Sequence, residues 1–145
     1  MLKNYLTENL TAFNVDAVTP EEAIISAGIL LVNAGKIKSQ YVDAMLDVYH
    51  ELGPYIVIAP YIAMPHARPS EYVKQKSVSF IQLKNPIKFN SEKNDPVKIV
   101  FALAGTDHES HLDMIKELAI LLSNAEKVEK LKLVDNYHDF LQIIS

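Results

Sequence analysis

The chain has 145 residues, 49% of them apolar and 22% charged, the composition of an ordinary soluble globular protein of about one domain, expected to span 1–145. Lys plus Arg number 14 against 18 Asp plus Glu, a net charge of −4, which argues against a nucleic-acid binder relying on phosphate attraction. Cysteine is absent, which excludes disulfides, thiolate metal sites and a cysteine nucleophile.

Leu2, Leu6 and Leu10 recur every four residues and predict a short amphipathic helix over 2–10. Phe13, Val15 and Ala17 then alternate with other side chains as in a strand. Thr19-Pro20-Glu21-Glu22 supplies an N-cap, a proline at the first helical position and a capping-box glutamate. Ile24, Ala27, Leu31 and Ala34 continue at helical spacing to Gly35, which suits a left-handed stop. A second helix is expected from Ser39, with Val42, Met45, Leu46 and Tyr49 on one face, ending at Gly53-Pro54.

Residues 55–64 are apolar and β-branched but interrupted by Pro60, which predicts two short extended pieces meeting at a bend. Leu52–Pro65 is uncharged, yet it is shorter than the roughly 20 apolar residues of a membrane span and is broken by Pro54 and Pro60. Strands are expected at Ser77–Leu83 and Val97–Leu103, separated by turn signals at Asn85-Pro86 and Asn94-Asp95-Pro96. The second is nearly all apolar, as suits a central strand covered on both faces. Leu112, Ile115, Leu118, Ala119 and Leu122 define a third long helix, followed by helical patterns at Ala125–Val134 and Asp135–Ile144. The expected fold class is α/β, a mixed sheet with helices on both faces. Residues 1–9 lack the features of a signal peptide, so the expected compartment is the cytosol.

Pro65-His66-Ala67-Arg68-Pro69 follows a buried strand directly and contains the only arginine. Proline stiffens the backbone on each side, so His66 is presented at a sheet end, where α/β proteins carry active groups. The alternative is a turn histidine bonded to the backbone. A second cluster, Asp107-His108-Glu109-Ser110-His111, links a strand to a helix, with Asp107 or Ser110 as N-cap. Amides at a helix N-terminus favour an anion, and His111 there is placed to donate to a phosphoryl oxygen. Read alone, both histidines also suit solvated cap positions. His50 and His138 fall on helices as surface or partly packed residues.

A metal site built from His66, His108 and His111 would need a ligand pattern such as His-Glu-x-x-His, which is absent. Gly-x-Gly-x-x-Gly, a phosphate loop and a Gly-x-Ser-x-Gly elbow are absent too, so no nucleotide, metal or other cofactor is expected.

Ala59-Pro60-Tyr61-Ile62-Ala63-Met64-Pro65-His66-Ala67 resembles the phosphorylation-site signature of the mannitol/fructose-type enzyme IIA components of the bacterial phosphotransferase system. The likeness runs from Thr19-Pro20-Glu21-Glu22-Ala23 to the closing helices. Leu52–Pro60, the Pro-His-Ala-Arg-Pro loop and Phe89–Val97 look most like the ascorbate-specific branch. The resemblance implies that His66 takes a phosphoryl group from phospho-HPr and passes it to an enzyme IIB, with a membrane enzyme IIC downstream. It also implies that His111 contacts the phosphoryl group and that Arg68 supplies positive charge. Three positions depart from the family pattern: Ala67 and Tyr61 stand where glycine is common, and Val48 where mannitol-type members carry arginine.

Histidine, with a reference pKa near 6.5, is a competent neutral nucleophile in the cytosol. Phosphoryl transfer needs in-line positioning and donors for the equatorial oxygens. The expected donors are loop amides around Ala67, His111 and Arg68, in an open site within a flat apolar docking face. Two other classes remain: a regulator whose phosphorylation state a partner reads, and a metal-dependent hydrolase using His66, His108 and His111.

Overall fold

The computed structural model describes residues 2–145. Five strands form one mixed sheet in the order β1-β4-β5-β3-β2. They are β1 (Thr11–Val15), β2 (Val57–Ala59), β3 (Tyr61–Ala63), β4 (Ser77–Ile87) and β5 (Val97–Ala104). The helices are α1 (Leu2–Tyr5), α2 (Pro20–Asn33), α3 (Ser39–Leu52), α4 (His108–Leu122), α5 (Ala125–Leu133) and α6 (Tyr137–Ile144). The α/β class and the two-sided helical cover agree with the sequence pattern.

The alternation of side chains along β4 and β5 explains both helical layers. Ile81 and Leu83 of β4, with Val100, Ala102 and Ala104 of β5, join the core under α2 and α3. Val78 and Phe80 of β4, with Ile99, Phe101 and Leu103 of β5, point to the opposite core under α1, α4, α5 and α6. Both strands are apolar over most of their buried length because successive side chains enter different cores. The polar exceptions are satisfied. Ser79 donates to the Ala27 carbonyl at 2.7 Å, and Gln82 accepts from the Asn14 amide at 2.8 Å and donates to the Lys132 carbonyl at 3.0 Å.

Helix ends follow the capping residues. Thr19 accepts from the Glu22 amide at 3.1 Å, while the Glu22 carboxylate accepts from the Val18 amide at 3.0 Å, one residue before the capping-box position. Gly35 takes φ 73° and closes α2. Among the described residues no helix is long and apolar enough to cross a membrane.

Several boundaries move. The helix expected over 2–10 breaks after Tyr5, and a 3-10 turn at Glu8–Leu10 carries Leu10 into the core. The strand expected around Phe13 to Ala17 lies at Thr11–Val15, pinned in parallel register on β4. Asn85-Pro86 is not a turn: β4 runs through it to Ile87 across a register shift, with Lys84, Asn85 and Pro86 exposed. A bulge tolerates proline because no ladder donor is needed there. The closing helix starts at Tyr137, because Asn136 caps it by accepting the Asp139 amide at 2.9 Å.

Candidate active site

β3 and β5 are parallel neighbours, so their carboxyl ends emerge on the same side of the sheet. The loop after β3 carries His66 and the loop after β5 leads into α4 with His111, which brings the two rings to 5.2 Å between centroids. β2 runs antiparallel to β3 with Val57 opposite Ala63. The residues just before β2 therefore lie beside those just after β3, and Tyr55 reaches His66.

The His66 loop is held on both sides. The Met64 amide donates to the Ile56 carbonyl at 2.8 Å, and the Leu103 amide donates to the Pro65 carbonyl at 3.0 Å. Beneath it, the fully buried Tyr41 hydroxyl accepts from the Ala67 amide at 3.0 Å and donates to the Leu103 carbonyl at 2.7 Å. Burial pushes the Tyr41 phenol up to about 12, so it keeps the proton this bond needs. The Ala67 amide is thereby committed in this state, so of the loop amides expected around Ala67 as phosphoryl donors this one is already taken.

His66 is only partly buried, and both ring nitrogens have partners. Nδ1 lies 2.8 Å from the Met64 carbonyl oxygen. A carbonyl only accepts, so the proton sits on Nδ1 and the neutral ring carries its lone pair on Nε2. Nε2 accepts from the Tyr55 hydroxyl at 2.8 Å. The Tyr55 ring meets the imidazole edge-on at 65°.

His111 closes the other side. Its Nδ1 is buried and has no hydrogen-bond partner. Burial first, then the neighbouring His66 and His108, hold its pKa below the ordinary histidine value. Gly105 makes this close approach possible, since a Cβ there would fall 2.8 Å from the His111 Cβ and 3.1 Å from its Cα.

α4 begins at His108, four residues before the apolar spacing starts, because Asp107 and Ser110 cap each other's backbone amides. The His111 amide already donates to the Asp107 carbonyl at 3.2 Å. Asp107, whose carboxyl is held below its usual range chiefly by the Ser110 amide, itself occupies the positive end of the helix. The helix N-terminus is thus a weaker anion seat than the sequence implied. Positive charge falls to Arg68, which is exposed and forms no ion pair among the described residues.

These groups line an open cleft of about 240 Å³ whose walls include Leu52, Tyr55, His66, Arg68, His108 and His111. That volume is below the range typical of small-molecule pockets. Of its lining residues, Leu52 and Tyr55 stand out to solvent, 57% and 50% exposed. Among the described residues no three His, Asp or Glu side chains converge as a metal centre.

Tyr61 has φ 74°, the left-handed backbone region that favours glycine. Its ring is held in place by Lys132, whose Nζ sits 3.6 Å from the ring centroid. Tyr41, Tyr55 and Gly105 were not singled out from the sequence. A polar-tipped aromatic next to Gly53-Pro54, and a glycine at a strand end, are the signals they leave.

Residues 4–145 match the family model described as phosphoenolpyruvate-dependent sugar phosphotransferase system, EIIA 2. The chain is 36% identical over 145 residues to the ascorbate-specific PTS system EIIA component of Escherichia coli (strain K12), covering 99% of this chain and 94% of that one. Among solved structures it is similar to the mannitol-specific cryptic phosphotransferase enzyme IIA of Escherichia coli, with TM-score 0.88, 30% identity, and coverage of 99% and 97%. It is also similar to the mannitol enzyme IIA of Escherichia coli, solved in complex with its phosphorylated enzyme IIB. There the TM-score is 0.85, identity 28%, and coverage 95% of each chain.

Proposed function

The chain belongs to the phosphoenolpyruvate-dependent sugar phosphotransferase system EIIA 2 family, and from that premise we propose that His66 is its phosphoryl carrier, assisted by His111 and Arg68. The family assigns a phosphotransferase that works in sugar uptake. One observation carries the choice of residue: Nδ1–H is fixed on the Met64 carbonyl, which leaves the Nε2 lone pair at the edge of an open cleft.

The lone pair attacks phosphorus in line with the bond to the donor, phospho-HPr. The new N–P bond forms as the old bond breaks, its electron pair leaving on the donor. The incoming group carries up to about two negative charges. Arg68 offers a guanidinium for its oxygens. Burial favours the neutral form of His111, and with its proton on Nε2 that ring donates to the same oxygens while the buried Nδ1 stays a bare acceptor. Few and exposed contacts suit a carrier, because a group bound too firmly could not leave.

The acceptor in this reading is an enzyme IIB, in keeping with the mannitol relative solved with its phosphorylated enzyme IIB. Leu52 and Tyr55 give the cleft an apolar rim for successive docking of HPr and enzyme IIB. The substrate class is ascorbate-like, following the curated relatives at 34–36% identity. The sugar itself meets the membrane enzyme IIC. The place of action is the cytoplasm, where HPr and the cytosolic face of the transporter are reached.

The test is incubation with phosphoenolpyruvate, enzyme I and HPr. Acid-labile phosphate should appear on His66 and pass to an ascorbate-type enzyme IIB. No labelling of His66, or full labelling of a His66→Ala variant, would end the reading.

A further inference from the structure

We infer that Tyr55 is a catalytic residue of the carrier: its hydroxyl covers the Nε2 lone pair in the resting protein and moves to a phosphoryl oxygen after transfer. This rests on the assignment of His66 as the carrier.

The geometry leaves little freedom in the resting state. Nδ1 is committed to the Met64 carbonyl, so Nε2 of the neutral ring can only accept, and the Tyr55 hydroxyl 2.8 Å away must donate. That donor lies along the lone pair, where phosphorus has to arrive. Tyr55 must therefore give way before the N–P bond forms.

Its setting permits this. Tyr55 is 50% exposed, so its ring can swing without opening either core. It sits on a 3-10 turn, Pro54–Ile56, entered through Gly53 at φ 73°. The neighbouring His66 backbone is pinned at Met64, Pro65 and Ala67, so the phenol moves and the imidazole stays.

The step balances without a proton. The Nε2 lone pair forms the N–P bond, the bond from phosphorus to the donor breaks with its pair leaving on the donor, and Nδ1 keeps its hydrogen on Met64. The phosphorylated Nε2 no longer has a lone pair for Tyr55. The displaced O–H then faces three oxygens on the phosphorus bonded to that same nitrogen, which share up to about two negative charges. A hydrogen bond to an ionised acceptor is about twice as strong as one between neutral groups. Tyr55 thus favours the loaded form over the empty one.

The experiment compares the ¹⁵N-labelled chain with a Tyr55→Phe variant, which keeps the ring against His66 and removes only the hydroxyl. In the empty protein the Nε2 resonance of His66 should shift toward that of an unbonded imidazole nitrogen. At equilibrium with HPr, the ratio of phosphorylated chain to phospho-HPr should fall roughly fivefold. If either quantity stays unmoved while the unsubstituted chain is labelled on His66, Tyr55 loses this role and the carrier assignment stands. If the unsubstituted chain takes no phosphate on His66, both fall together. Should Tyr55→Phe fail to fold, 3-fluorotyrosine placed at position 55, a stronger donor, replaces it as the test. It should raise the loaded ratio, and no rise would overturn the proposal.

Discussion

Gly105 and His111 lie against each other so closely that a Cβ on Gly105 would stand 2.8 Å from the His111 Cβ. The atoms it would strike belong to the His111 backbone and its first side-chain carbon, so rotation of the ring cannot relieve the clash. Gly105→Ala must push the first turn of α4 away from the end of β5. Overpacking of this kind costs about 1–3 kcal/mol. Displacing a reacting neighbour by an ångström slows transfer up to about a hundredfold. Thermal unfolding should show a lower midpoint, and the labelling rate of His66 should drop in a protein that is still folded.

Tyr41 carries the second prediction. Its buried hydroxyl joins the Ala67 amide, one residue past His66, to the Leu103 carbonyl of β5. Tyr41→Phe keeps the ring but leaves both backbone groups unpaired in the core. The expected loss is about 1–3 kcal/mol. Urea unfolding should give a lower midpoint with an unchanged slope, since the surface exposed on unfolding is nearly the same.

The pattern of caps and apolar spacing made α2 and α3 readable, because Thr19, Pro20, Gly35 and Gly53 are local signals acting on their own helices. Pro86 misled for the opposite reason. Proline normally ends a strand, but the shift in pairing between Gln82 and Ile87 gives it a place that no local pattern announces. His66 stood out through its bracketing prolines, and His111 through its place at a helix start as well as through the family resemblance. Their meeting depends on β3 and β5 being parallel neighbours. Tyr55 and Tyr41 reach the site through register and through packing across the sheet, and the one local mark, Gly53-Pro54 beside Tyr55, does not say which residue its hydroxyl meets.

The pH dependence of stability follows from His111. Burial holds its folded pKa below the ordinary value near 6.5. Below that value the unfolded chain takes up a proton that the folded chain refuses. The contribution of His111 is therefore complete above about pH 6.5 and is lost as the pH falls toward its folded pKa. His111→Asn should flatten that part of the profile. Unfolding midpoints between pH 5 and 8 for both proteins would check it, and parallel curves would count against a burial-lowered His111.

Arg68 supplies the last prediction. It is the only arginine in the chain and has no carboxylate partner among the described residues, so its charge is uncommitted. Asp107 already occupies the start of α4, and the Ala67 amide belongs to Tyr41. No other formal positive charge lines the cleft when its histidines are neutral. Arg68→Gln should thus leave the unfolding midpoint nearly unchanged, because an exposed and unpaired side chain contributes little to folding. The rate of phosphoryl acceptance should fall about tenfold or more, since a guanidinium on a transferring phosphoryl group stabilises the charge in the transition state. Arg68→Lys should recover only part of that loss, because an ammonium restores the charge without the two-pronged geometry. Equal rates for the Gln variant and the unsubstituted chain would place the compensating charge on the docked partner instead.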